Sequence, residues 1–185
     1  MKFTPHIYKA IDMAARLHDG QIRKGNRLPY IVHPFSVALI LMEYTSDEDI
    51  LIAGILHDTI EDTSYTKTQI QEDFGPRVTK LVCEVTEPSK SFSWQQRKDT
   101  YLDHLTTASF EAKLICAADK LHNLRSMFSA VQQHGIEAYT NFNAPIDKIF
   151  WFYEECLNIL KKDKKLPSML LDSIECAVVS LKNIS

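Results

Sequence analysis

The sequence predicts an all-α fold, and three observations lead to that prediction. Apolar residues recur every three or four positions along most of the chain, as on the buried face of a helix. Alternating apolar runs bounded by hairpin turns, the pattern of strands, do not occur. The length of 185 residues and the 45% apolar content suit one domain with a substantial core. We therefore expect residues 1–185 to form a single helical bundle.

The first three helices are predicted from apolar spacing and from residues that favour helix ends. The apolar face of the first helix consists of Ile7, Ala10, Ile11, Ala14 and Leu17. Gly20 is expected to end that helix. Pro34 favours the start of a second helix, because its missing N–H costs little there, and this helix runs to about Tyr44. Asp47 is a favourable N-cap for a third helix, which we expect to extend to Ile60.

The rest of the chain shows the same helical period. Further helices are predicted over 66–73, 75–86, 93–107, 109–129, 144–162 and 167–182. The last of these segments are rich in aromatic residues, which can pack internally or pair two subunits. The sequence therefore leaves a homo-oligomer open.

Charge and cysteine content restrict the class of protein. The chain has 21 basic and 24 acidic residues, and a net charge of −3 disfavours nucleic acid and anionic lipid as partners. No run approaches the roughly 18 consecutive apolar residues of a membrane span, and the N-terminus has no apolar signal core, so secretion is not expected. The four cysteines lie far apart, which is typical of reduced thiols in a cytoplasmic protein.

The third predicted helix carries a cluster of polar residues near its end. After an apolar run from Leu51, the sequence supplies His57, Asp58, Glu61 and Asp62. Side chains four positions apart share a helix face, which would place Glu61 near His57 and Asp62 near Asp58. Buried polar groups without partners are costly, so this cluster is expected to have a function. Histidine and carboxylate together are ligands for a divalent metal such as manganese, iron or zinc.

Two further residues are candidates to complete a metal site. His33 follows a short apolar segment, and Asp119 follows an apolar run in which an unpaired carboxylate would be costly. A four-ligand set would then consist of His33, His57, Asp58 and Asp119. The same residues also fit structural roles. The His57-Asp58 pair could be a core histidine with a capping aspartate, and Asp119 could form a buried ion pair.

The other histidines give weaker signals. His18-Asp19 is also a His-Asp pair, but Gly20 follows it and no acidic pair lies one turn later, so we expect a helix end. The remaining histidines have no partner pattern and are expected to be structural: His6, His104, His122 and His134.

Four segments together resemble a known family. They are Ala14–Lys24 (Ala-Ala-Arg-Leu-His-Asp-Gly-Gln-Ile-Arg-Lys), Pro29–Pro34 (Pro-Tyr-Ile-Val-His-Pro), Leu56–Thr63 (Leu-His-Asp-Thr-Ile-Glu-Asp-Thr) and Ala118–Arg125 (Ala-Asp-Lys-Leu-His-Asn-Leu-Arg). The order and the amino-acid sequences of these segments are similar to those of the hydrolase domain of the RelA/SpoT family. That family belongs to the HD-domain metal-dependent phosphohydrolases. That family removes pyrophosphate from the 3′ position of guanosine tetra- and pentaphosphate. The resemblance covers about residues 7–128 and implies a hydrolase-only relative.

The resemblance implies a metal site and a catalytic pair. The implied ligands of a divalent ion, most often manganese, are His33, His57, Asp58 and Asp119. Because His/Asp sites also accept iron, cobalt, nickel and zinc, the sequence does not fix the metal. The implied catalytic carboxylates, which position or deprotonate the attacking water, are Glu61 and Asp62. A metal and a neighbouring carboxylate are the groups that phosphate hydrolysis requires at neutral pH.

The resemblance also implies contacts to a phosphorylated nucleotide. The residues of this chain at the family's nucleotide-contacting positions are Arg23, Lys24, Asn123 and Ser126. At the position of Ser126, threonine is common in the family. Arg23 and Lys24 belong, with Arg27, to a basic loop in an otherwise acidic chain, and phosphate chemistry needs such cations. Two regions depart from the family pattern: the loop between Lys24 and His33, and the segment 93–98 that contains Trp94, Arg97 and Lys98. These departures bear on the substrate rather than on the chemistry.

Several functions remain to be weighed. The leading one is the 3′-pyrophosphohydrolysis of guanosine tetraphosphate to GDP and pyrophosphate. A phosphatase of another nucleotide, such as NADPH or a nucleoside monophosphate, is an alternative. A non-catalytic nucleotide-binding sensor is another, although it would not need both Glu61 and Asp62. A nucleic-acid phosphodiesterase is disfavoured because the chain is acidic and lacks an extended basic stripe.

Overall fold

Nine α-helices make up the part of the chain that the computed structural model describes, namely residues 4–24, 27–141 and 143–184. They are α1 (Pro5–Leu17), α2 (Val32–Met42), α3 (Glu48–Leu56), α4 (Thr59–Asp62), α5 (Lys67–Val85), α6 (Trp94–Thr107), α7 (Phe110–His134), α8 (Ile146–Leu160) and α9 (Ser168–Lys182), with a 3-10 helix at Gly135–Asn141. Extended pairing in these residues is limited to an isolated bridge between Ile22 and Pro29. The predicted all-α class is confirmed.

Helix α7 is the centre of the bundle. It packs against α2, α3, α5 and α9, and α8 packs against both α6 and α9. Because α7 has neighbours on several sides, its segment from Leu114 to Leu121 is buried throughout. No described helix is both long and apolar enough to cross a bilayer. The assignment of residues 1–185 to one domain stays a prediction.

Most predicted helices occur close to their expected bounds. The two helices predicted over 66–73 and 75–86 correspond to α5, which is divided by Gly75 at φ = +85°, a conformation that favours glycine. The side-chain oxygen of Ser93 accepts the backbone N–H of Gln96, and the Gln96 side chain binds the N–H of Ser93, so a capping box fixes the start of α6.

The predicted third helix, from Asp47 to Ile60, is wrong after Leu56. The Nδ1 of His57 lies 2.9 Å from the carbonyl of Gly54, and the hydroxyl of Thr59 donates to the carbonyl of Leu56 at 2.6 Å. These side chains bind carbonyls near the end of α3, and the chain turns at residues 57–58 before α4 begins. A turn, rather than one continuous helix face, therefore positions the polar cluster.

The start of α3 depends on a charged N-cap. Asp47 accepts hydrogen bonds from the backbone N–H groups of Asp49 and Ile50 and binds the guanidinium of Arg77 at 2.7 and 2.8 Å. Since α3 leads directly to His57, this cap also fixes the helix that presents the polar cluster.

We predict that Asp47→Ala lowers the free energy of unfolding by about 1–2 kcal/mol at pH 7, because the cap is lost. Denaturant unfolding measures the change. Asp172→Ala, an exposed mid-helix aspartate of α9, is the matched control and should stay within about 0.5 kcal/mol of the parent protein.

The loss of stability caused by Asp47→Ala should depend on pH. The hydrogen bond from Arg77 lowers the pKa of Asp47, so the folded state binds a proton less readily than the unfolded state. The stabilisation is therefore complete above the unfolded pKa of about 3.9 and is lost as the pH falls through the lower folded-state pKa. A difference between Asp47→Ala and the parent protein that stays constant down to pH 2 would contradict this role of the ion pair.

Candidate active site

Two histidines and two aspartates from three regions of the chain meet at one point. His33 lies in the first turn of α2, His57 and Asp58 form the turn after α3, and Asp119 lies in the buried part of α7. The Nε2 atoms of His33 and His57 are 3.1 Å apart, and they lie 3.4 and 3.1 Å from Oδ2 of Asp58. The Oδ1 atom of Asp119 lies 3.2 Å from Nε2 of His33 and 3.8 Å from Nε2 of His57. The structure thus brings together the four side chains expected to bind metal.

Both histidines are oriented through their second ring nitrogen. The Nδ1 of His57 donates to the carbonyl of Gly54 at 2.9 Å. The Nδ1 of His33 lies 2.7 Å from Nδ1 of His122. Burial, together with the charges of His33 and Arg23, lowers the pKa of His122 to about 4, so His122 is neutral and can accept this hydrogen bond. Both Nε2 atoms therefore point into the cluster, as in metal-binding histidines.

The cluster attracts positive charge. Burial by itself lowers the pKa of His57, but the charge and hydrogen bond of Asp58 and the charge of Asp119 raise it to about 9. A divalent cation between neutral imidazoles would balance the same negative charges of Asp58 and Asp119, because metal binding displaces protons from its ligands. Two imidazoles and two carboxylates are suited to a borderline divalent ion. The residues present therefore fit a divalent metal.

The carboxylate of Asp119 is fixed from two other directions. The buried Lys120 donates from Nζ to Oδ2 at 2.6 Å, and the side-chain amide of Asn123 donates to Oδ1. Asn123 in turn accepts a hydrogen bond from the guanidinium of Arg23 at 2.7 Å. The alternative role considered for Asp119, a buried ion pair, is thus also present, and it coexists with the approach of Oδ1 to both histidines.

Tyr30 connects the cluster with Asp62, one of the two carboxylates expected to be catalytic. Its hydroxyl lies 2.6 Å from Oδ2 of Asp58 and 3.1 Å from Oδ2 of Asp62. Burial and these two carboxylates raise the pKa of Tyr30, so the hydroxyl keeps its proton and can donate. The ring stacks on His18, the C-cap residue of α1, with the ring centres 4.9 Å apart. The prediction that His18 belongs to a helix end is confirmed.

Glu61, the other carboxylate of that pair, lies half-buried in α4. Its Oε1 accepts the backbone N–H of Glu87 at 2.5 Å. Burial raises the pKa of Glu61 to about 8, and the negative charge of Asp58 contributes in the same direction. A cation in the nearby cluster would lower the pKa of Glu61. A carboxyl group with a pKa close to neutral pH is suited to accept a proton from water.

A cavity of about 240 Å³ contains most of these groups. The predicted site residues that line it are Lys24, His33, His57, Asp58, Glu61, Asp62, Asp119 and Asn123. Arg23 is half-buried and reaches the site through Asn123. Ser126 is half-buried on α7 and is not among the described residues that line the cavity. Apolar and aromatic side chains also line the cavity, among them Trp94, Phe152 and Tyr153, and we call this lining the aromatic wall.

Sequence reasoning missed the residues that support this site. His122 was expected to be structural without a partner, but it contacts His33. Tyr30, Lys120 and Glu87 were not predicted to have roles. The sequence could have indicated Lys120 and Tyr30, because Lys120 adjoins Asp119 and Tyr30 lies three positions before His33. Nothing local indicates Glu87, which meets Glu61 only through the fold.

Comparison with known proteins assigns the chain to a family. The family model described as the HD domain matches residues 10–144. This chain belongs to the HD-domain family. The match includes all four side chains of the cluster and both candidate catalytic carboxylates.

Similar proteins narrow the assignment within the HD-domain family. Human MESH1, a guanosine-3′,5′-bis(diphosphate) 3′-pyrophosphohydrolase, is 37% identical over 149 residues, which cover 77% of this chain and 83% of that protein. MESH1 of Xenopus tropicalis is 41% identical over 124 residues, covering 65% and 69%. A solved structure of a metazoan ortholog of SpoT that hydrolyzes ppGpp has a TM-score of 0.83 and 28% identity over 97% of both chains. The chain belongs to the same family as these proteins.

We predict that His122→Phe weakens the binding of Mn²⁺ about 10- to 100-fold, because His33 loses the acceptor that orients its ring. Titration of metal-free protein with Mn²⁺, followed by electron paramagnetic resonance, measures the affinity. His104→Phe, a change of an exposed histidine on α6, is the matched control and should leave the affinity unchanged. Equal Mn²⁺ affinities of His122→Phe and the parent protein would rule out this orienting role.

Proposed function

We propose that this protein is a metal-dependent guanosine 3′,5′-bis(diphosphate) 3′-pyrophosphohydrolase, which converts ppGpp and water to GDP and pyrophosphate. One observation carries the proposal: a single cavity holds the His-His-Asp-Asp cluster and, next to it, Glu61 and Asp62. The relatives that are 37–41% identical over most of their length are named for this same reaction. The proposal therefore has independent support from geometry and from similarity.

We propose that the chain binds its metal through His33, His57, Asp58 and Asp119. When bound there, a divalent cation supplies a Lewis acid and makes water acidic enough to react at neutral pH. Glu61 lies beside the cluster with one oxygen held by a backbone N–H. It accepts the proton of the attacking water as the water oxygen bonds to phosphorus and the bond between phosphorus and the 3′ oxygen breaks. The 3′ oxygen then takes up a proton from solvent, which gives GDP with a free 3′ hydroxyl and pyrophosphate. Asp62, bound by Tyr30 and by Lys90 at 2.6 Å, orients that water.

Cations around the cavity neutralise the phosphate groups of the substrate. Lys24 is exposed at the cavity wall, and Arg23 contacts Asn123 beside the cluster. Negative charge grows on the phosphate oxygens and on the departing 3′ oxygen of the ribose, and fixed cations stabilise such charge. We assign Arg23, Lys24 and Asn123 to the binding of the nucleotide. Ser126 is proposed to contribute from the same face of α7, one turn from Asn123.

The finer properties of the protein are also proposals. We propose Mn²⁺ as the native metal, because two imidazoles and two carboxylates suit a borderline ion, although iron, cobalt, nickel and zinc share this preference. We further propose that the chain acts as one domain in the cytoplasm, within the alarmone system of the stringent response. Its partner is a nucleotide rather than a nucleic acid, since the net charge is −3.

The reaction products test the proposed function. After removal of metal with a chelator, the protein should be inactive, and Mn²⁺ should restore the conversion of ppGpp to GDP with an equal amount of pyrophosphate. Chromatography that resolves phosphate from pyrophosphate measures the products over a panel of ppGpp, NADPH and nucleoside monophosphates. Release of orthophosphate alone would show a phosphatase of another nucleotide instead. Release of neither product would exclude an enzyme of this class.

The role of Glu61 separates an enzyme from a nucleotide-binding sensor. We predict that Glu61→Gln lowers kcat by about 100- to 10,000-fold, because the amide cannot accept a proton from water. Binding of ppGpp, measured by calorimetry, should persist. Glu72→Gln, an exposed glutamate of α5, is the matched control and should keep full activity. An unchanged kcat in Glu61→Gln would remove Glu61 from its proposed role.

A further inference from the structure

Two basic residues of α6 bind one carboxylate beside the cavity. Arg97 Nη1 donates to Oε2 of Glu87 at 3.2 Å, and Lys98 Nζ donates to Oε1 of the same carboxylate. The three side chains are only 12–17% exposed. They lie in or near the segment 93–98 that departs from the family pattern, and the proposed reaction gives none of them a role. We call this group the Glu87 clamp, consisting of Glu87, Arg97 and Lys98.

The clamp is connected to the proposed general base through the backbone. Glu87 also donates its backbone N–H to Oε1 of Glu61, at 2.5 Å. Glu87 follows α5 in a non-helical segment, so no helix holds its backbone in place. The contacts of its carboxylate therefore help to set the position of its own N–H. Fixing the carboxylate against α6 therefore fixes the donor that holds Glu61.

We propose that Arg97 and Lys98 are positioning residues that hold Glu61 in its reactive orientation by clamping Glu87. The inference rests on the proposed function, in which Glu61 accepts the proton of the attacking water. The clamp also has an electrostatic consequence. The negative charge of Glu87 acts to raise the pKa of Glu61, and two adjacent cations compensate that charge. Without them, a buried and uncompensated carboxylate would remain close to the base.

The two cations differ in how cleanly they test the inference. Lys98 lines the cavity and lies 4.1 Å from the centre of the Phe152 ring, so it can also touch substrate. Arg97 is not among the described residues that line the cavity. A change of Arg97 therefore acts on Glu61 through Glu87, whereas a change of Lys98 combines that effect with any direct contact.

The first test separates positioning from substrate binding and from stability. We expect Arg97→Met to lower kcat for ppGpp hydrolysis by about 10- to 100-fold, the effect of a misplaced catalytic group, with KM within about twofold. Arg97→Lys should restore most of the activity. Lys161→Met, which removes a surface ion pair with Glu175, is the control for stability and should keep kcat. An unchanged kcat, or a rise in KM alone, would overturn the inference while leaving the proposed function intact.

A second test uses metal-free protein and does not depend on activity. The amide proton of Glu87 binds a carboxylate, so its NMR resonance should lie downfield and should move upfield in Glu61→Gln. Arg97→Met and Glu87→Gln should produce a shift in the same direction, because both open the clamp. If this resonance keeps its wild-type position in Arg97→Met, the clamp does not hold Glu61. Inactivity of the parent protein towards ppGpp would instead refute the proposed function, and the NMR result would stand apart from it.

Discussion

The close approach of two imidazoles and two carboxylates around one point is the constraint on which the rest of the structure depends. Side chains with lone pairs and negative charge do not gather 3–4 Å apart in a buried place unless positive charge is present between them. In the metal-free chain, a proton on His57 partly meets this need, as its raised pKa shows. A divalent ion at the proposed site would meet it fully, and the surrounding contacts keep the four side chains aimed at one point.

Those surrounding contacts come from all parts of the chain. His122 orients His33, Tyr30 joins Asp58 to Asp62, and Lys120 fixes the second oxygen of Asp119. Each of these contacts removes a rotational freedom from a side chain that must be accurate to a fraction of an ångström for catalysis. The cost is a core that contains charged groups. The burial of apolar surface between α7 and five other helices, α2, α3, α5, α8 and α9, offsets that cost.

The cavity combines two kinds of lining, and this combination suits a phosphorylated nucleotide. The His-His-Asp-Asp cluster and the candidate catalytic carboxylates line it together with aromatic surface from α6 and α8, including Trp94 and Phe152. Lys98 connects the two kinds of lining, because its Nζ lies 4.1 Å from the centre of the Phe152 ring. The HD-family match ends at residue 144, but the similarity to the metazoan SpoT ortholog covers 97% of the chain. The helices that form the aromatic wall are therefore part of the shared fold.

The sequence by itself determined the all-α class, most helix bounds and the candidate site residues that local patterns indicate. Helix periodicity is local, and a His-Asp pair followed by two carboxylates is unusual enough to be noticed without coordinates. Only the tertiary structure decided that the third helix ends at Leu56, because the hydrogen bonds of His57 and Thr59 that end it have no periodic signal. It also decided the partners of His33 and Glu61, which lie 89 and 26 positions away in the chain. Contacts over such separations depend on how helices pack, and no single segment of sequence encodes them.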